Sequence, residues 1–99
     1  MENNGIRHLQ FDPQYYAVFC TKPKEEQIHE LLAQGMHLDT MFDNNYKTLL
    51  FFIRGFFVEV SISKQVDRVV NILPIKDGYK VEQYIHQIQN HYTLNNIAF

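Results

Sequence analysis

The sequence has no tryptophan, one cysteine, three prolines and four glycines among its 99 residues. One cysteine excludes an internal disulfide and is typical of a reducing compartment, so we expect a cytoplasmic protein. The scarcity of glycine and proline, together with a hydrophobic content of 45%, indicates a folded chain rather than a disordered one. A chain of this length is enough for one domain, residues 1–99, with a single core.

Long apolar runs and an excess of basic residues are also missing. The longest apolar stretch, residues 49–53, is far too short to cross a bilayer, and residues 1–5 lack the features of a signal peptide. The formal net charge is −2 at pH 7, whereas nucleic-acid binders usually carry a basic face for phosphate contacts. We therefore expect neither a membrane nor a nucleic acid as a partner.

Patterns of catalytic or metal-binding residues are absent as well. The sequence has no glycine-rich phosphate loop, no CxxC pair and no GxSxG motif. His86 and His91 are five residues apart on a predicted helix, which separates them by about 140° and does not suit a pair of metal ligands. Cys20 has no activating neighbour and is expected to fill space in the core. The sequence thus predicts no catalytic residue, no metal site and no cofactor, and catalysis has little support.

The most informative segment is residues 46–63, in which two runs of strand-forming residues flank Arg54-Gly55. A glycine at the second position of a two-residue turn favours a type I′ hairpin, although Arg54 must then adopt a positive φ. A type I turn with a bulge at Gly55 is the alternative, but it shifts the register by one residue. The first register is preferred because it groups the apolar side chains. The resulting apolar surface, face A, comprises Leu49, Phe51, Ile53, Phe56, Val58 and Val60.

A preceding turn at Asn44-Asn45 supports the same arrangement, because asparagine tolerates the left-handed backbone of tight hairpins. Folding back at this turn places Met36, Leu38 and Thr40 on face A. The opposite surface, face B, mixes polar groups with large apolar ones. It carries His37, Asp39, Met41, Leu50, Phe52, Phe57 and Glu59.

The fourth strand, residues 68–73, follows a polar loop at residues 64–67, and its register is ambiguous. One register places Val70 and Ile72 on face A, whereas the other places Val69, Asn71 and Leu73 there. We prefer the first, because asparagine is a poor core residue. Pro74 cannot donate to a strand ladder and marks the strand end or an edge.

Helices are expected to cover face A. Residues 22–34 carry Ile28, Leu31 and Leu32 on one stripe. Residues 78–91 carry a second stripe, which consists of Val81, Ile85, Ile88 and Tyr92. Residues 13–20 form either a helix begun by Asp12-Pro13 or an extra strand favoured by their strand propensity. Residues 1–5 are expected to be flexible, and residues 93–99 to form a loosely ordered tail.

These elements predict an α+β fold, in which an antiparallel four-stranded meander is packed on one face by helices. Its strands are residues 36–42, 46–53, 56–63 and 68–73. Face B then requires an explanation, because a contiguous exposed apolar surface on a small protein usually marks an interface.

We predict a non-catalytic module that forms a homodimer or binds another protein through face B. The predicted interface residues are Met41, Leu50, Phe52, Phe57 and Glu59. Two alternatives stay open. The N-terminal segment could cover face B as part of a second core, or a small-molecule or enzymatic pocket could lie near His37 and Asp39.

Overall fold

The computed structural model describes residues 10–97, which form three helices and one four-stranded sheet. The helices are α1 (Pro13–Thr21), α2 (Lys24–Gln34) and α3 (Tyr79–Ile97). The strands are β1 (Met36–Phe42), β2 (Tyr46–Ile53), β3 (Phe56–Ser63) and β4 (Arg68–Ile75), antiparallel in the order β1-β2-β3-β4. The predicted α+β class and the meander are confirmed. Part of the predicted tail differs, because α3 continues to Ile97. The predictions for residues 1–5, 98 and 99 lie outside the described residues.

The central hairpin has the predicted register, with Ile53 opposite Phe56, Phe51 opposite Val58 and Leu49 opposite Val60. Arg54 and Gly55 both have positive φ values, 49° and 87°, as a type I′ turn requires. This hairpin is the centre of the sheet, since β2 and β3 each have a strand on both sides.

Residues 13–21 are helical, which decides between the two predicted conformations of this segment. Asp12 caps α1, with its Oδ1 accepting from the backbone N–H of Tyr15 at 3.0 Å, and Pro13 occupies the first turn. A satisfied N-cap and a preformed φ outweigh the strand propensity of the following tyrosine, valine and phenylalanine. The chain breaks at Lys22-Pro23, and α2 begins at Lys24.

Two β-bulges change which side chains of the edge strands face the core. In β1, Thr40 lies opposite Leu49 as predicted, but a shift between His37 and Asp39 pairs His37 with Phe51. Met36 and Leu38 consequently pack on face B rather than on face A. Because the bulge adds one residue, each side chain that precedes it in the strand points to the face opposite the predicted one.

In β4, a shift at Ser61/Ile62 places Val69 opposite Ile62 and Ile72 opposite Val60. Face A therefore receives Ile72 from the preferred register and Val69 from the other one, while Val70 is exposed. Neither uniform register describes this strand.

The helices are divided between the two faces of the sheet. Phe19 of α1 and Leu31 of α2 are buried with the apolar residues of face A. Val81, Tyr84 and Ile88 of α3 instead pack against face B. The prediction placed both amphipathic helices on face A, whereas α3 covers the opposite face. An apolar stripe determines which side of a helix is buried, but it does not determine which face of a sheet the helix meets.

Candidate interaction surfaces

Face B is covered by α3 in this fold. Leu50 and Phe57 are 0% and 2% exposed, and Phe52 is also buried. The rings of Phe52 and Phe57 pack with their centroids 5.2 Å apart, and Tyr84 of α3 lies 5.4 Å from Phe57. Met41 is half-buried beside this cluster. Four of the five predicted interface residues thus contribute to a second core, and the covering element is α3 rather than the N-terminal segment.

Glu59, the fifth predicted interface residue, is held by α3. Its carboxylate accepts a hydrogen bond from the hydroxyl of Tyr84 and lies 3.2 Å from Nζ of Lys80, and its side chain is only 13% exposed. Burial raises the pKa of Tyr84, and the hydrogen bond to Glu59 raises it further, because ionisation would place two negative charges together. Glu59 therefore anchors α3 to the sheet.

His37 and Asp39 do not share a site, because the bulge in β1 separates their side chains. The His37 ring packs 5.4 Å from Phe51 on face A, and its Nε2 is 2.9 Å from Oγ1 of Thr40. Asp39 is paired with Leu50 of face B, and its charge contributes to the raised pKa of Tyr84. Among the side chains that the structure describes, no cluster of three or more histidine, cysteine, aspartate or glutamate residues could hold a metal ion.

Cys20 is also placed differently from its prediction. The sequence predicts a buried core filler, but the thiol is free and exposed on α1. Phe19, the preceding residue, takes the buried position instead.

Exposed apolar side chains lie on both sides of the sheet, and one group of them surrounds a groove on face A. A groove of about 150 Å³ opens between α2 and the sheet, and we call it the α2 groove. All of its lining side chains are apolar. They are Ile28, Leu31, Leu32, Leu49, Phe51, Val60, Ile62 and Val69.

Leu32 stands at the lip of this groove and is 74% exposed, more than any other large apolar side chain whose exposure the structure describes. It follows the buried Leu31 directly, so the two side chains point about 100° apart around the helix. The sequence prediction placed both leucines on one buried stripe. Two adjacent leucines share a buried stripe only where that stripe is at least about 100° wide, and on α2 Leu32 lies outside it.

α1 and the last residue of α2 pack near Arg54, whereas the first turn of α2 lies beside Arg68 and Val69 at the opposite end of face A. Tyr15, Tyr16 and Phe19 of α1 surround Phe56, with ring centroids 6.2, 4.9 and 5.5 Å from it. The last residue of α2, Gln34, accepts hydrogen bonds from the Arg54 guanidinium at 2.9 and 3.1 Å. Toward the other end of the sheet, the side chains of Leu49, Ile62 and Val69 are only half-buried.

The surroundings of the α2 groove carry charges of both signs. The exposed first turn of α2 is acidic overall, with Glu25 and Glu26 following Lys24. Arg68 and Val69 of β4 line a neighbouring pocket together with Lys24 and Glu25, so the first turn of α2 lies beside the basic start of β4. Lys47 shares face A with Ile62. Apolar lining with charged edges is the usual composition of a protein-binding surface.

Among residues 10–97, no helix is both long and apolar enough to cross a membrane. Comparisons of the chain with protein-family models, with curated proteins and with solved structures find no match.

Proposed function

We propose that the chain is a non-catalytic protein-interaction module, and that the α2 groove is its docking surface. The observation that carries the proposal is Leu32, a leucine that is 74% exposed at the lip of a groove lined only by apolar side chains. Exposed contiguous apolar surface on a small folded domain costs solubility and is usually retained for binding. The free thiol of Cys20 agrees with a reducing compartment, and we place the module in the cytoplasm.

The dimensions of the groove favour a protein side chain over a small molecule. Its volume is about 150 Å³, whereas small-molecule sites usually enclose about 300–1,000 Å³ and contain a few polar groups that orient the ligand. A cavity of roughly 150 Å³ lined by aliphatic side chains accommodates a group about as large as benzene. That is the size of one leucine or phenylalanine side chain.

The proposed function is the one that the sequence predicts, but its surface is the α2 groove instead of face B. Leu50, Phe52 and Phe57 are buried beneath α3, which leaves little of their surface for a partner. The alternative small-molecule or enzymatic site near His37 and Asp39 has weaker support, because these side chains lie on opposite faces of the sheet.

Site-specific photocrosslinking in the cells that make the protein tests the proposal. A photoreactive amino acid replaces Leu32 in one variant, and in the matched control it replaces Val18, which is 53% exposed on α1. We expect discrete crosslinked proteins from position 32 and none of them from position 18. An absence of crosslinks at position 32, or the same products from both positions, would contradict a docking function for the α2 groove.

A further inference from the structure

We infer that residues 1–9 of this chain dock into a second groove, on face B, and that the side chains of Ile6 and Leu9 fill it. This groove has a volume of about 310 Å³, and we call it the α3 groove because it opens between α3 and the central hairpin. Its apolar lining includes Phe52, Phe57, Val81, Ile85 and Ile88. The inference concerns the side of the sheet opposite the α2 groove and does not depend on the function proposed for that groove.

The first argument is the place at which the described chain begins. Gln10 lies directly against the hairpin turn, since a Cβ atom at Gly55 would be 2.3 Å from the backbone carbonyl of Gln10. Gly55 also lines the α3 groove. The nine residues that precede Gln10 are therefore attached at the rim of this groove.

The second argument is the direction of the chain. The ring of Phe11 packs against Phe56 on face A, with centroids 6.4 Å apart, and the backbone N–H of Asp12 donates to the carbonyl of Arg54 at 3.1 Å. Traced from α1 toward its N-terminus, the chain thus passes from face A onto the hairpin turn. The α3 groove opens on the other side of this turn.

The third argument is the match in size between the groove and the segment. A cavity of roughly 150 Å³ lined by aliphatic side chains holds one group about as large as benzene, so the α3 groove suits two such groups. Besides the initial methionine, residues 1–9 contain two large apolar side chains, Ile6 and Leu9. Four extended residues span at most about 14 Å, which allows both side chains to reach the groove from Gln10.

The lining of the α3 groove favours this segment over a small molecule. Ile85 is 41% exposed, and Gln89 is the only polar side chain among the described lining residues. Small-molecule sites usually contain several polar groups that orient the ligand. Residues 6–9 need no such groups, because their attachment at the rim gives them a high effective concentration in the groove.

Hydrogen exchange of the full chain provides the first test. We expect Ile6→Ser/Leu9→Ser to make the amides of α3 exchange at least about tenfold faster, because two aliphatic side chains no longer hold α3 against the hairpin. The matched control, Asn3→Ser/Asn4→Ser, changes the same segment without removing apolar surface. It should leave the exchange of α3 unchanged.

Disulfide formation within the full chain provides the second test and reports the geometry. Leu9→Cys is combined with Ile85→Cys in a Cys20→Ser background. In the control it is combined with Val18→Cys, at a position that is 53% exposed on α1 and only nine residues away in sequence. A segment without a fixed place would close the shorter loop faster. We expect the opposite order, with the 9–85 disulfide forming at least about tenfold faster.

Three outcomes would overturn the inference. Unchanged exchange of α3 in Ile6→Ser/Leu9→Ser would show that these side chains do not fill the groove, which is then free for a separate ligand. Faster closure with position 18 would place the segment on the α1 side of the hairpin turn. Disulfides between position 9 of one molecule and position 85 of another would place the segment in the groove of a second copy.

Discussion

Arg54 and Gly55 occupy the most constrained corner of the molecule, where the central hairpin meets the segment that precedes α1. A Cβ atom at Gly55 would lie 2.3 Å from backbone atoms of Gln10 and Phe11. The carbonyl of Arg54 accepts the backbone N–H of Asp12 at 3.1 Å, and its guanidinium lies 4.9 Å from the Tyr15 ring centre. Positive φ at a non-glycine residue costs about 1 kcal/mol or more. These contacts offset that cost at Arg54.

Substitution of the glycine in this corner should be far more damaging than substitution of a glycine with similar φ elsewhere. Gly55→Ala adds both backbone strain and a backbone collision, and we expect it to lower the free energy of unfolding by about 3 kcal/mol or more. Gly78 has a φ of 99° but no atom within 4 Å of a Cβ. Gly78→Ala should therefore cost only about 1 kcal/mol. Urea unfolding of both variants measures the difference, and equal losses would contradict close packing at the corner.

Tyr84 connects stability to alkaline pH. Burial and its hydrogen bond to Glu59 raise its pKa, so the folded state retains a proton that the unfolded chain releases near pH 10. The stabilisation is complete below about pH 10 and is lost as the pH rises toward the folded-state pKa. We expect the unfolding free energy of Tyr84→Phe to fall less steeply above pH 10 than that of wild type.

The same measurement needs a second tyrosine for comparison. Burial and a hydrogen bond to Glu30 also raise the pKa of Tyr15, against the opposing charge of Arg54. Tyr84→Phe should consequently retain part of the alkaline slope, and Tyr15→Phe/Tyr84→Phe should retain less. Identical slopes for wild type and Tyr84→Phe would show that the Tyr84–Glu59 contact is absent in solution.

At the scale of elements, the register of the central hairpin could be predicted from the sequence, but the registers of the edge strands β1 and β4 could not. The β2–β3 register follows from turn chemistry and from apolar residues on both faces, because a one-residue slip would move every side chain to the opposite face. The bulges near Leu38 and Val70 each insert one residue, and nothing local in the sequence marks them. They exchange Met36, Leu38 and Val69 between faces, and β4 extends two residues beyond its predicted end, to Ile75.

The candidate site was missed for a related reason. Periodicity identifies α2 and α3 as amphipathic, but it assigns neither helix to a face. With α3 assigned to face A, face B looked exposed and became the predicted interface. In the structure α3 covers face B, and Leu32 is exposed beside a groove between α2 and face A.

The side of α3 that faces the sheet can be tested with two matched isoleucines. Ile88 packs against the Leu50, Phe52 and Phe57 cluster, whereas Ile85, one turn away, is 41% exposed. We expect Ile88→Ala to lower the unfolding free energy by about 2 kcal/mol and Ile85→Ala by about 1 kcal/mol or less. The gain in helix propensity is the same for both changes and cancels. A larger loss at Ile85 would show that the apolar stripe of α3 contacts the sheet through Ile85 rather than through Ile88.

At the scale of the whole molecule, the sheet separates two apolar clusters, and different helices pack on each of them. The face A cluster joins two helices to the strands, and the polar contacts of Arg54 reinforce it. Among the described helices, α3 is the one that packs on the face B cluster, and it follows the bend at residues 76–78. Elements that pack on a single cluster commonly open in partial unfolding, while the rest of the fold persists. We therefore expect α3 to open without unfolding the sheet.

Native-state hydrogen exchange of two variants tests this independence. Val58 is fully buried on face A, and Val58→Ala should lower the opening free energy of β2 and β3 amides by about 1–3 kcal/mol. It should leave the amides of α3 unchanged, because Val58 stays buried when only α3 opens. Ile88→Ala should instead lower protection in both regions equally, since Ile88 is exposed in either opening. If Val58→Ala lowers the protection of α3 as much as that of the strands, the two clusters unfold as one unit, and α3 does not open alone.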